Sequence, residues 1–346
     1  MNFNAISLSQ LPALLCAMPK TELHIHIEGS LEPELIFELA KRNQVRLNYP
    51  SVDALRSAYA FTDLQSFLDI YYAGASVLQH PQDFYDMAWA YFLRAKADNV
   101  VHAEIFFDPQ THTERKVSMR TVISGLHQAC VDANEKLGMT SSLIMCFLRH
   151  LSEESALETL EQSIPFKDLL IGVGLDSSER GHPPEKFERV FKRAQQLGLR
   201  AVAHAGEEGP PAYIWSALDV LRIERIDHGV QAIHDAVLLQ RLAKERVPLT
   251  VCPLSNLKLC VFSELKQHNL GQMLEQGLCV TVNSDDPAYF GGYINENFLQ
   301  TFAALNLNAS HAYQLACNSF EAAFVDASQK QAWRTQLDAC FQTYGA

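Results

Sequence analysis

The chain has 346 residues, of which 48% are hydrophobic, and its 28 basic and 40 acidic residues give a formal net charge of −12. This length and apolar content suit one large globular domain, and we expect a single domain over residues 1–346. An acidic chain without a basic run is a poor ligand for nucleic acid phosphates, so we expect a small-molecule substrate and no nucleic acid partner.

The cysteine pattern and the N-terminal segment indicate a compartment. The eight cysteines are scattered and form no C-x-x-C pair, which predicts free thiols in a reducing environment. No basic segment precedes a sustained apolar core near residue 1, and no stretch has the length of a membrane span. We therefore expect a cytoplasmic protein without a membrane partner.

The first predicted strand covers residues 21–29 (TELHIHIEG). Side chains alternate along a strand, so His24 and His26 lie on the same face and can share a metal ion. A polar strand with two surface histidines explains this spacing equally well. Ser30 is the expected N-cap of the next helix, with Pro33 in its first turn.

Further helices are predicted before the next strand. Residues 61–72 form an amphipathic pattern, whose default explanation is core packing, and another helix begins at Pro81. Seven apolar runs then alternate with helical segments and predict strands over residues 100–108, 141–149, 169–176, 200–204, 225–228, 247–252 and 279–285. With the first strand, this is the arithmetic of an α/β fold, a (β/α)8 TIM barrel with additional helices after strand 1 and at the C-terminus.

Reactive side chains recur where these strands end. Barrel active sites lie at the C-terminal ends of the strands. Five such ends carry imidazoles or carboxylates, at His24 and His26, 176–179, 204–208, His228, and Asp285 and Asp286. Each occurrence alone has an ordinary structural explanation, but five equivalent positions together predict a catalytic site.

The predicted ligands of one Zn2+ are His24, His26, His204 and Asp285. Glu207 is placed to act as a general acid or base, and His228 to orient the bound water or stabilise developing negative charge. Asp286 follows a ligand directly and should face the substrate. No lysine ends the fourth strand to bridge two ions, so we predict one metal per subunit. The same ligands would accept Fe2+, Co2+ or Mn2+.

The motifs HIHIEG, HAGEE, RIDHG, CPLSN and SDDP together resemble the adenosine/adenine deaminase family of metal-dependent hydrolases, over residues 18–324. The resemblance implies a single zinc on the four predicted ligands. It also implies that Glu207 protonates purine N1 while activated hydroxide attacks C6, that His228 helps to hold the hydroxide, and that ammonia leaves. Asp286 would bind N7, and the 61–72 helix would flank the mouth of the pocket.

Two positions depart from the pattern of the adenosine deaminases. Glu28 replaces their usual aspartate, and Asp227 replaces a glycine. With residues 255–259 (SNLKL), they resemble the adenine deaminases. We predict deamination of the purine base adenine to hypoxanthine in purine salvage, with Glu28 and Asp227 as substrate-binding residues. Adenosine or an N6-substituted aminopurine is the alternative substrate, in which case the two residues reflect neutral drift within a nucleoside enzyme.

Two other classes fit less well. Polynucleotide deaminases pair an H-x-E motif with P-C-x-x-C. Residues 26–28 and 102–104 match H-x-E, but C-x-x-C is absent from the sequence. A catalytically inactive barrel predicts a missing ligand or acid, and every one is present.

Overall fold

Eight parallel strands follow one another around a barrel in chain order. The computed structural model describes residues 3–61 and 64–345, except the side chains of Gln65 and Asp69. The strands coincide with apolar, β-branched and aromatic runs, which favour strands covered on both faces. They are β1 Lys20–His26, β2 Val100–Phe107, β3 Thr140–Leu148, β4 Leu170–Asp176, β5 Arg200–Ala205, β6 Arg225–His228, β7 Pro248–Val251 and β8 Cys279–Val282.

Helices surround the barrel and fill the connection between the first two strands. Before β2 lie α1 Leu11–Ala17, α2 Pro33–Arg42, α3 Val52–Ser57, α4 Leu64–Ala75 and α5 Pro81–Ala97. Between β2 and β8 lie α6 Pro109–Thr113, α7 Met119–Asp132, α8 Glu153–Ser163, α9 Glu188–Gln196, α10 Pro211–Ser216, α11 Ala236–Glu245, α12 Pro253–Lys258 and α13 Leu270–Glu275. The chain ends with α14 Pro287–Phe290, α15 Ile294–Leu305, α16 Ala309–Ala322 and α17 Ala327–Tyr344.

The barrel closes between its first and last strands. The N–H of Asp285 donates to the carbonyl of His24 at 3.1 Å, and the N–H of His26 donates to the carbonyl of Asp285 at 2.9 Å. Buried apolar side chains fill the layer between sheet and helices, and a smaller cluster lies within the barrel at Phe106, Ile144, Cys146 and Val202. This packing leaves the C-terminal ends of the strands free to form a site.

The predicted (β/α)8 barrel is confirmed, and three local details differ. β8 ends at Val282, three residues before the predicted end, and Asp285 beyond it has a left-handed backbone (φ 66°) and forms an isolated parallel bridge to Ile25. The N-cap of α2 is Glu32, since Ser30 lies in a 3-10 turn and its hydroxyl donates to the carbonyl of Ile27. The helix expected over 61–72 extends over Leu64–Ala75, and positions 62 and 63 lie outside the described residues. Among the helices of the described residues, none combines the length and apolarity of a membrane span.

Candidate active site

Three histidines and one aspartate converge at the C-terminal end of the barrel. Nε2 of His24 lies 3.1 Å from Oδ1 of Asp285, and Nε2 of His26 lies 3.2 Å from Nε2 of His204. One ligand atom from each of the four residues lies within 4.8 Å of the others, and all four residues are buried. A single ion can therefore contact all four.

Hydrogen bonds behind two of the rings fix the nitrogen that faces this cluster. Nδ1 of His204 lies 3.1 Å from the carbonyl oxygen of Leu175 and carries its hydrogen there. Nδ1 of His24 lies 2.9 Å from Oγ1 of Thr250, whose own hydrogen goes to Asp227, so His24 also donates from Nδ1. Both rings therefore present an Nε2 lone pair to the cluster.

The third ring completes an electron-rich centre. Nδ1 of His26 faces Oδ2 of Asp176 at 3.5 Å. Burial lowers the pKa of His26 to about 4, so the ring is neutral near pH 7. Neutral imidazole lone pairs and the carboxylate of Asp285 repel one another unless a cation lies between them. The donor set therefore fits a divalent metal ion.

The backbone is strained where the chain delivers Asp285. Its φ of 66° lies in the left-handed region, which is unfavourable for a residue with a Cβ, and His228 has a similar φ of 63°. The two hydrogen bonds to β1 hold Asp285 in this conformation. Strain of this kind persists where surrounding contacts fix the geometry, as they do at many functional sites.

A carboxyl and an imidazole lie beside the cluster. Nε2 of His228 is 3.5 Å from Oε2 of Glu207 and 3.6 Å from Oδ2 of Asp285. Nδ2 of Asn256 donates to Oε1 of Glu207 and to Nδ1 of His228, both at 3.3 Å. Because Nδ1 of His228 accepts, its hydrogen is on Nε2 and points to the two carboxyls.

Glu207 is arranged to hold a proton. Burial, followed by repulsion from Asp285 and Glu179, raises the pKa of Glu207 well above its usual range. The carboxyl therefore holds its proton more readily than a free glutamate does and can donate that proton to a basic nitrogen.

The loop that carries Glu207 is held by a buried glutamate, Glu179. Its carboxylate accepts four successive backbone N–H groups at 2.7–2.9 Å, from Gly206, Glu207, Glu208 and Gly209. The guanidinium of Arg149 lies 3.8 Å from the same carboxylate and donates to the carbonyl of His204 at 2.7 Å. These contacts fix Glu207 relative to the metal ligand His204.

A cavity with an empty volume of about 410 Å³ opens over these groups. One wall is polar and includes His26, His204, Glu207 and His228. The other is largely apolar and comes mainly from α4, through Leu64, Phe67, Leu68, Tyr71 and Tyr72. An apolar cavity with a few convergent polar groups is typical of a small-molecule site.

Three of the four predicted metal ligands line this cavity, and Glu207, His228 and Asp286 line it with them. Asp286 lines it, and its Oδ1 has no hydrogen-bond partner among the described residues. His24 is fully buried and is not among the described residues that line the cavity, but it belongs to the same group of four potential metal ligands.

Asp227 is not placed as a substrate contact. It pairs with His204 in the β5–β6 register and lies behind the ligand rings, 3.8 Å from Nδ1 of His24 and of His204. Its Oδ1 accepts from Thr250 at 2.8 Å. Asp227 therefore supports the histidines from inside the barrel, and it is absent from the described residues that line the cavity.

Glu28 also turns away from the cavity. β1 ends at His26 and the chain enters a 3-10 turn at Glu28, so the alternation of the strand no longer directs this side chain. Its Oε1 accepts from the backbone N–H of Asp108 at 3.2 Å and from Nε2 of His112 at 2.8 Å. A direct contact between Glu28 and substrate, as the sequence suggested, does not match this position.

Three further residues line the cavity, namely Asp108, Asp176 and Tyr71. Sequence reasoning counted Asp176 among the reactive strand ends without giving it a specific role, and it did not single out Asp108. Asp108 directly follows β2, and Asp176 ends β4. Both therefore carry the same strand-end signal that identified the other site residues. The spacing around Tyr71 indicates only an amphipathic helix and does not distinguish a pocket wall from core packing, whereas the family resemblance implied that this helix flanks the mouth of the pocket.

Comparisons with known proteins agree with this geometry. A family profile described as "Adenosine deaminase" matches residues 19–340. A protein named adenine deaminase from Albidiferax ferrireducens is 65% identical over 344 residues, which cover 99% of this chain and all of that protein. Another of that name, from Acinetobacter baylyi, is 60% identical over 94% of this chain and 98% of its own length.

Solved structures give the same picture. The adenine deaminase from Arthrobacter aurescens is 50% identical and superposes with a TM-score of 0.93, covering 94% of this chain and 100% of that one. An amidohydrolase from Burkholderia ambifaria with bound Zn is 25% identical, with a TM-score of 0.90 over 98% of this chain and 95% of its own.

Proposed function

Because this chain belongs to the adenosine deaminase family, we propose that it catalyses the hydrolytic deamination of adenine to hypoxanthine and ammonia. Several relatives that are 60–65% identical over nearly the full length bear the name adenine deaminase. The observation that carries the proposal is the position of the buried carboxyl of Glu207, whose pKa is raised, beside a group of four potential metal ligands.

The site binds a divalent metal, and we propose that the ion is zinc. Three imidazole nitrogens and one carboxylate oxygen form a donor set that zinc favours in catalytic sites. A related amidohydrolase holds Zn. When bound, such an ion lowers the pKa of a water molecule towards neutrality and so supplies a nucleophile for hydrolysis. Metal analysis of the purified protein separates zinc from iron, cobalt and manganese.

The residues around the cluster divide the remaining work. Glu207 donates its proton to N1 of the purine, which makes C6 more electrophilic. His228 presents its Nε2 hydrogen between Glu207 and Asp285, where it stabilises negative charge that develops at C6. Burial and the neighbouring Asp285 raise the pKa of Asp286 well above its usual range, so its carboxyl can carry a proton, and we assign it as the donor of a hydrogen bond to N7.

The apolar wall completes the site. The aromatic and leucine side chains of α4 cover the polar groups, exclude bulk water and pack against the flat purine. The atoms balance, since one water molecule adds to adenine and one ammonia leaves, with hypoxanthine as the product.

We further propose that the reaction serves purine salvage in the cytoplasm. All eight cysteines are free thiols, which is typical of proteins from reducing compartments.

A paired substrate assay tests the proposed function. Purified, metal-loaded protein is assayed with adenine and adenosine side by side, and its metal content is measured on the same sample. We expect efficient release of ammonia from adenine and little from adenosine. A clear preference for adenosine would contradict the proposal.

A further inference from the structure

Asp108 is paired with a second buried carboxyl, that of Asp176, at the cavity wall. Asp108 follows β2, is 3% exposed and lines the cavity wall. Its Oδ2 accepts from the hydroxyl of Tyr71 at 3.3 Å, and its carboxyl shares a hydrogen bond with the carboxyl of Asp176. Oδ1 of each of these two carboxyls is buried and has no N–H or hydroxyl donor among the described residues. Two carboxyls that share one proton still offer acceptor oxygens, and buried acceptors in native proteins nearly always have a partner, so a donor from a bound ligand is expected beside this pair.

We propose that Asp108 determines specificity for the free base by accepting a hydrogen bond from the imidazole-ring N–H of adenine. This inference rests on the proposed function, since it assumes adenine in the cavity. Free adenine carries one N–H on its imidazole ring. A nucleoside carries a carbon substituent there, and so has no hydrogen to give to Asp108 and adds bulk against it.

The arrangement of the polar wall assigns Asp108 to this edge of the purine. Nε2 of His26 faces the metal cluster, whereas Nδ1 of the same ring faces Asp176. Atoms of His26, Asp108 and Asp176 lie within 4.8 Å of one another, so the two carboxyls lie on the side of the His26 ring that faces away from the four potential metal ligands. Glu207 and His228 lie together beside Asp285. With N1 and C6 at Glu207 and the metal, the imidazole ring is the edge left for the carboxyls.

Glu28 acts as a positioning residue for Asp108. It accepts the backbone N–H of Asp108 and the Nε2 hydrogen of His112. Arg115 lies 2.9 Å from Nδ1 of His112. An arginine cannot accept, so Nδ1 is the acceptor and the hydrogen of His112 is on Nε2, pointing to Glu28.

This chain of contacts reaches the apolar wall. The guanidinium of Arg115 also donates to the carbonyls of Ala75, Ser76 and Leu78, where α4 ends. Glu28 and His112 are buried at 1% and 0% exposure. The substitution of aspartate by glutamate at position 28 thus sets the position of Asp108 through buried contacts, without touching the base.

The discrimination expected from such a contact is large. A site built to bind a substrate N–H rejects an analogue that lacks it by about 10⁴-fold or more, because its buried acceptor is then left unpaired. A suitable analogue is the aminooxazolopyrimidine in which a ring oxygen replaces the imidazole N–H of adenine, because it keeps the size of the base. 9-Methyladenine serves as a second probe that adds bulk.

The test compares kcat/KM for adenine and the oxygen isostere in metal-loaded wild type, Asp108→Ala and Asp108→Asn. We expect the preference for adenine to fall about 100-fold or more in Asp108→Ala, and less in Asp108→Asn, which keeps one acceptor oxygen. The exposed Asp168→Asn is the matched control and should keep the wild-type ratio. An unchanged ratio in both Asp108 variants would overturn the inference.

A binding measurement separates this inference from the proposed function. Calorimetry in a Glu207→Gln background, with and without Asp108→Ala, measures affinity for adenine, the isostere and 9-methyladenine without turnover. Selective loss of adenine affinity on removing Asp108 supports the inference even if wild type fails to deaminate adenine. Equal weakening of all three compounds overturns it. A second metal ion per chain that disappears in Asp108→Ala also overturns it, because Asp108 would then be a ligand.

Discussion

Replacement of Glu179 by glutamine tests how the fold positions the general acid. In the wild type, Oε1 of Glu179 accepts from the N–H of Gly206, and Oε2 accepts from the next three N–H groups. A glutamine has only one side-chain oxygen. If this oxygen takes the place of Oε2, the amide nitrogen faces the N–H of Gly206, and two donors meet.

The energetic cost follows from these contacts. One buried N–H left unsatisfied costs about 1–3 kcal/mol. The other three bonds lose a charged acceptor, and charge-assisted bonds are roughly twice as strong as neutral ones. We therefore expect the free energy of unfolding to fall by roughly 3–5 kcal/mol. Displacement of a catalytic group by about 1 Å lowers the rate on the order of 100-fold.

The assay measures kcat, KM, metal content and unfolding of metal-loaded Glu179→Gln. The exposed Glu185→Gln, on the same segment of chain, is the control. We expect kcat to fall about 100-fold, with KM for adenine nearly unchanged and metal content retained, since Glu179 is not among the described residues that line the cavity. The control should match wild type in every measurement.

Two results would refute this reasoning. An unchanged kcat together with weaker stability would mean that Glu179 serves the fold alone. A parallel loss of metal and activity would mean that the substitution acts through His204, which shares Arg149 with Glu179, rather than through Glu207.

Three further predictions concern the proposed general acid, metal binding, and a buried ion pair inside the barrel. Glu207→Gln should lower kcat at least 100-fold while metal analysis shows full occupancy, and retained activity would mean that the acid is wrongly assigned. Asp227→Asn should weaken metal binding about 10–100-fold in a chelator competition, because it loosens the support of His24, and unchanged affinity would contradict this. Burial opposes ionisation of Glu104, but Arg225 at 2.5 Å lowers its pKa to about 2. This pair stabilises the fold by about 3 kcal/mol above the unfolded pKa, and the contribution is lost as pH falls from about 4.5 towards 2. Denaturation of Glu104→Gln should show a flatter acid dependence, and an unchanged slope would count against this assignment.

The sequence was sufficient for features governed by local periodicity. Continuous apolar runs located the strands, because a parallel barrel buries both faces of each strand. Alternation along β1 placed His24 and His26 on one face, and the rule that strand ends form the site brought in His204 and Asp285. These inferences need only the direction of a strand.

The unpredicted features depend on contacts between distant segments. Glu28 turns to His112, which is 84 residues away. Asp227 lies within β6 on the same face as Arg225, and its contact with Thr250 on the neighbouring strand, which the sequence does not show, makes it a support for the histidines. The strand-end rule identifies which residues are near the site, but side-chain direction beyond the last strand residue depends on the local turn. For this reason Asp108, and not Glu28, presents a carboxyl to the cavity.

The closure of the barrel carries a consequence for folding order. The hydrogen bonds between Asp285 and β1 join parts of the chain that are 261 residues apart for His24. The same residues are proposed metal ligands, so the proposed ion site exists only after the longest-range strand contact has formed. Contacts of such high sequence separation form slowly because a long loop must close first. The ion therefore binds after most of the barrel has formed and stabilises the contact between its first and last strands. Partial chains that lack either end of the sheet have no complete binding site for the ion.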